Sequence, residues 1–184
     1  MLDLLPEAYL LGLIGLLAIA AVAVGRQILR VRADELTLSR LGGDKKTDTS
    51  SMDAASLYEL ASVQLRKRLY GQATDSLKAA LKQSESEKPP AEALALMENA
   101  MGFALAAQGK YPAAIRHYRS AIKAKTDYPV ALNNLAFALE KQGKNDEARE
   151  AYNQVLTLEP GNKTAVKRLK SLDRRSGISS GKAA

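Results

Sequence analysis

The chain has 184 residues, room for one domain plus appendages, and its formal net charge of +7 is not gathered into one basic block. It contains no Cys and a single His, His117, which leaves no disulfide framework, no thiolate chemistry and no multi-His metal site. Abundant Ala and Leu with few aromatic residues fit an all-helical protein, and the basic face with stacking aromatics that nucleic-acid binding needs is missing.

From Ala8 to Gly25 the chain reads AYLLGLIGLLAIAAVAVG, without a charge. Eighteen helical residues rise about 27 Å, close to the roughly 30 Å of a bilayer core. Asp3 and Glu7 precede this run, whereas Arg26, Arg30, Arg32, Arg40, Lys45 and Lys46 follow it. The positive-inside rule then sends the short N-terminus across the membrane and keeps the rest of the chain in the compartment of synthesis. A cleaved signal peptide fits less well, because the leading segment is acidic and the apolar run is long for one. Residues 1–25 are therefore expected to be a transmembrane anchor. Residues 26–53 are expected to form a juxtamembrane helix and a flexible linker. Gly42-Gly43 ends the helix, and the polar GGDKKTDTSSMD run leads to a cap at Ser51 or Asp53.

Residues 95–128 and 129–162 align without a gap at a period of about 34. Asn99 matches Asn133, Phe103 matches Phe137, Gln108-Gly109-Lys110 matches Gln142-Gly143-Lys144, and Tyr118 matches Tyr152. The only two Phe of the chain share one repeat position. A weaker unit occupies 54–87, with Gly71 and Gln72 expected in its inter-helix turn. Extra residues from Lys88 to Leu94, containing Pro89-Pro90, separate it from the second unit and predict a lengthened helix or an irregular joint. In the third unit Leu132, Leu135, Ala136 and Leu139 form one helical stripe and Ala148, Tyr152, Val155 and Leu156 the facing one. Residues 163–175 then read as a capping helix, with Val166, Leu169 and Leu172 inward and the basic residues in water. The tail 176–184 is expected to be disordered.

These units resemble tetratricopeptide repeats, which implies an all-α fold: an N-terminal transmembrane helix, a three-unit solenoid over 54–175 and a C-terminal cap. The full layout also resembles a narrower family, the thylakoid-anchored tetratricopeptide proteins that assist photosystem I assembly in cyanobacteria and chloroplasts. That resemblance rests on the Leu-Pro opening, the Arg26-Gln27-Ile28-Leu29-Arg30 exit, the Leu38-Ser39-Arg40 stretch and three repeats with nothing large after them. It implies a single-pass thylakoid protein with its repeats on the cytoplasmic or stromal side, whose partners are subunits of photosystem I assembly intermediates. No enzyme activity, cofactor, metal, nucleic acid or small-molecule substrate is expected. The competing reading is a general bacterial membrane-tethered adaptor that recruits a regulatory or transport partner.

The first helix of each unit carries residues that packing leaves free. Tyr58, Asn99, Phe103, Asn133, Asn134 and Phe137 are the candidate partner-binding residues of a concave groove. Asn hydrogen-bonds a peptide backbone in both directions, and Phe supplies apolar anchoring area. The Lys/Asn/Arg clamp with which some such domains grip chaperone C-termini is not reproduced. Its positions hold Tyr58, Ser62, Ala100, Val130 and Asn134, with no Lys or Arg. His117 is expected on an outer face, in water.

Overall fold

The computed structural model describes residues 4–41 and 52–180, with side chains for 9–41 and 52–175. It divides into two units, residues 1–47 and 48–184.

The first unit holds one helix, α1 (Leu4–Leu41). It is apolar around its whole circumference over the expected span, and Tyr9, Leu11, Leu16 and Ile19 are exposed. Such a helix has no polar face to turn to water. It is long and apolar enough to cross a membrane. The helix runs without a break through Arg26, Arg30 and Arg32, as the Gly- and Pro-free sequence predicts, and the expected linker from Gly42 to Ser51 lies outside the described residues.

The second unit contains seven helices among its described residues. They are α2 (Ala54–Arg66), α3 (Tyr70–Glu87), α4 (Ala91–Ala107), α5 (Tyr111–Ala124), α6 (Pro129–Lys141), α7 (Asn145–Leu158) and α8 (Lys163–Ser180). Neighbours in sequence pack on each other, and α4 also touches α2 and α6, so the first helices of the three units share one face. The predicted stripes meet in a common core. Leu132, Ala136, Leu139, Ala148, Tyr152 and Val155 are buried together with Met101, Leu105, Ala114 and Tyr118. Gly109 and Gly143 take the left-handed conformation (φ +76° and +74°) in the turns of the second and third units, where a residue with a Cβ is strained.

Two expectations need correction, and the joint before the second unit is met in both of its expected forms. Gly71 and Gln72 are not in the first unit's turn; α3 already begins at Tyr70, and the left-handed turn position is held by Arg68 (φ 60°). The first unit thus makes the same turn without the glycine of the other two. The joint before the second unit is both a long helix and an irregular break. Helix α3 runs 18 residues against 14 for α5 and α7, and its last residue, Glu87, accepts the Ala54 N–H at 3.3 Å. A carboxylate there complements the positive end of α2. Lys88 (φ 48°) and Pro89-Pro90 then turn the chain so that α4 starts at Ala91, four residues before the repeat alignment does. Finally, helix α8 continues through Ser180, so the residues from 176 to 180 expected to be disordered are helical.

Candidate functional site

On the shared face of α2, α4 and α6 some of the candidate side chains come together and others do not. Asn99 on α4 and Asn134 on α6 meet directly, Asn134 Nδ2 donating to Asn99 Oδ1 at 3.0 Å. Asn99 also hydrogen-bonds the phenol of Tyr128, the residue before α6, whose pKa is raised first by burial and then by Tyr58 nearby. Tyr58 on α2 packs against the apolar clusters on both sides of it. Tyr58, Asn99, Asn134 and Tyr128 therefore make one polar floor spanning three helices. Asn133 stands apart from this network: its Oδ1 is buried without a hydrogen-bond partner. An unpaired buried amide oxygen costs free energy until a donor reaches it.

The two Phe have different surroundings. Phe103 is 45% exposed, with its ring edge-on to Tyr70 at 6.4 Å. Phe137 is half-buried, with Lys141 Nζ 5.4 Å and Arg168 Cζ 5.1 Å from its ring centroid. Cations at such distances are attracted to the ring face. The groove is consequently apolar and open around Phe103, with Leu96 and Val130 also exposed, and cationic around Phe137.

Arg168 was expected to face water. It reaches back from α8 to Glu140 at 3.6 Å, beside Arg175 at 3.1 Å. Glu140, whose side chain is only 5% exposed, also accepts from the Tyr152 hydroxyl at 3.4 Å. The cap thus contributes a wall to the groove. Gln108 provides a second tie between units, donating through Nε2 to Thr74 Oγ1 at 2.8 Å and to the Tyr70 carbonyl at 3.1 Å.

His117 is likewise not simply solvated. Its Nδ1 lies 2.6 Å from Glu98 Oε2, and both side chains are partly covered. The pair pins α5 to α4 within one repeat. Sequence reasoning missed Tyr128, Tyr70 and Arg168. Tyr128 lies outside the helical period, and the other two reach the groove across helix contacts that no local pattern encodes. Among the described residues no group of three or more His, Cys, Asp or Glu is placed to hold a metal.

The arrangement can bind a chain segment by backbone hydrogen bonds, apolar contact and charge. A family model described as "Tetratricopeptide repeat" matches residues 105–172. The chloroplastic tetratricopeptide repeat domain-containing protein PYG7 of Arabidopsis thaliana is 33% identical over 168 residues, 91% of this chain and 54% of that protein. The chain therefore spans about half the length of that relative. The ycf37 protein of Guillardia theta is 31% identical over 172 residues, covering 94% of each chain. Among solved structures, the second tetratricopeptide domain of human RPAP3, in complex with an HSP70 peptide, superposes with a TM-score of 0.59 at 25% identity. That match covers 65% of this chain and 94% of the other.

Proposed function

The chain belongs to the ycf37 family of tetratricopeptide-repeat proteins, and we propose that it is a membrane-anchored interaction scaffold that assists the assembly or stability of photosystem I. The observation that carries the binding role is the groove itself: an exposed Phe103 on the face that holds the preformed Asn99–Asn134 pair. An extended segment of a partner subunit places an apolar side chain against Phe103 and its backbone along the Asn99–Asn134 pair. An acidic side chain on the same segment suits the end where Lys141 and Arg168 flank Phe137. The human RPAP3 domain holds a peptide, which supports the peptide-binding mode without transferring that peptide. The clamp positions of this chain lack the Lys and Arg that grip a terminal carboxylate.

The photosystem I assignment is supported by the order of an apolar helix followed by the repeats and by a chloroplast relative. In this reading α1 crosses the thylakoid membrane, residues 1–25 being the anchor, and the repeats face the cytoplasm or stroma. Tethering raises the local concentration near membrane partners to roughly millimolar.

The test is a deletion strain complemented with wild type, with Phe103→Ala/Phe137→Ala, or with a chain starting at Asp53. The expected result is a lowered ratio of photosystem I to photosystem II in the deletion strain, restored by wild type alone. The double Phe variant loses about 2 kcal/mol or more of binding per hot-spot residue. Full rescue by that variant would remove the groove from the account. An unchanged ratio in the deletion strain would remove photosystem I and leave the general adaptor.

A further inference from the structure

Helix α8 carries a charge pattern that neither the cap nor the groove uses. Ala165 and Leu172 are buried, with Leu169 packed beside them, and Arg168 and Arg175 turn toward Glu140. At 100° per residue, Lys163, Lys167, Lys170 and Arg174 fall together on the opposite side of the helix. All four are exposed, and none forms an ion pair among the described residues. They line a shallow groove with Val166 and Ser171, and no carboxylate lines it. Asp173, the sole acid on α8, is held by Arg149 at 3.3 Å. The stripe extends over about 16 Å of helix.

We propose that this outer face of α8 docks on an anionic lipid bilayer. Four cations in a row with one half-buried Val166 offer charge without an anchor, which suits a lipid surface. A protein interface of any strength needs a buried aromatic or apolar centre, which the stripe lacks. A single-stranded nucleic acid needs stacking aromatics, and none lines the groove. The sequence also keeps such a surface within reach. Only twelve residues separate Leu41 at the end of α1 from Ala54 at the start of α2. A chain of that length spans at most about 45 Å. This proposal rests on the membrane-anchored reading of α1 and is independent of what the inner groove binds. Docking would give the repeats one preferred orientation on the bilayer.

Each Lys or Arg near an anionic surface strengthens binding about 5-fold, so four give several-hundred-fold. The experiment uses the full chain in lipid nanodiscs. Because the chain has no Cys, Ser171→Cys provides a single labelling position on the stripe. A dye there is read against a quencher carried on the lipid headgroup, in discs of phosphatidylcholine alone or with about one third phosphatidylglycerol. Elution of the protein with both discs reports the anchor, and quenching reports the stripe. Quenching is expected to be at least two-fold greater in the anionic discs. It should fall to the neutral level in about 0.5 M salt, where screening is nearly complete. It should fall equally in a chain that also carries Lys163→Gln, Lys167→Gln, Lys170→Gln and Arg174→Gln, with an unchanged helical melt. Equal quenching in the two discs, or quenching that survives the fourfold substitution, overturns the proposal.

Discussion

A side chain at Gly102 would collide with Tyr118: a Cβ built there lies 2.6 Å from two ring carbons, and that ring is almost fully buried. The third unit has Ala136 and Tyr152 at the equivalent positions, both buried in the core, so its helix crossing accommodates one methyl group. Gly102→Leu is expected to lower stability by about 1–3 kcal/mol through overpacking, with Gly102→Ala well below that, as read by urea denaturation. A cooperative transition at an unchanged midpoint for the Leu variant would mean that the crossing of α4 and α5 is misplaced. Arg68 offers the opposite case. Its left-handed backbone costs roughly 1 kcal/mol in a residue with a Cβ. Arg68→Gly relieves that strain but adds freedom to the unfolded chain. The expected net effect is a gain of up to about 0.5 kcal/mol, visible as a small rise in Tm. A fall in Tm would show that the Arg68 side chain matters more than its backbone. The buried tyrosines set the alkaline limit. Burial raises the Tyr118 pKa, and burial and then the Glu140 carboxylate raise that of Tyr152. Both phenols stay neutral in the fold while the unfolded chain ionises above pH 10. The stabilisation is whole below pH 10 and falls as pH rises toward the raised values, by about 1.4 kcal/mol per pH unit for each tyrosine. Thermal melts between pH 8 and 11.5 are expected to show this slope, and Tyr118→Phe should flatten it.

At the scale of elements, α8 has two working sides. Its inner side closes the core with Ala165 and Leu172, as any terminal cap of a solenoid does. It also holds Glu140 through Arg168 and Arg175 and sets Arg168 against Phe137. Glu140→Ala removes the acceptor of the buried Tyr152 hydroxyl and the partner of both Arg. The two guanidiniums keep access to water, so the loss is below that of a fully buried ion pair and is expected at about 1–3 kcal/mol. Hydrogen exchange should show the effect concentrated in α8 and the end of α6. A uniform effect over α2 to α7 would mean that Glu140 stabilises the array as a whole. Helix α3 makes a similar closure at the other end, where Glu87 reaches the Ala54 N–H. Asp53 caps the same helix start: hydrogen bonds from the Ser56 side chain and from Ser56 N, the latter at 3.0 Å, lower its pKa.

For the whole molecule, a core confined to residues 48–184 predicts independent folding of the repeats. A chain starting at Asp53 should be soluble and melt in one cooperative transition, because each apolar stripe of the array already has its partner. The full chain should stay with membranes through a carbonate wash, since the exposed apolar span of α1 has no other place to be buried. Release into the wash, or aggregation of the chain lacking α1, would contradict the division of the molecule into an anchor and a self-sufficient array.

The sequence by itself determined the periodic part of this protein. A 34-residue repeat with Gly109 and Gly143 at turn positions specifies helix pairs, because a helical stripe and a left-handed glycine are local properties of the chain. The uninterrupted apolar run is equally local, and so is the spacing at which Asn99 and Phe103 recur as Asn133 and Phe137. Everything that depends on one helix meeting another was decided by tertiary structure. Arg168 pairing with Glu140 and covering Phe137, Tyr128 joining Asn99, His117 meeting Glu98, and Glu87 closing onto Ala54 each link residues distant in sequence. Their side chains look solvent-directed until packing brings a partner alongside, because a helix's own period distinguishes buried from exposed but cannot say which exposed group faces another.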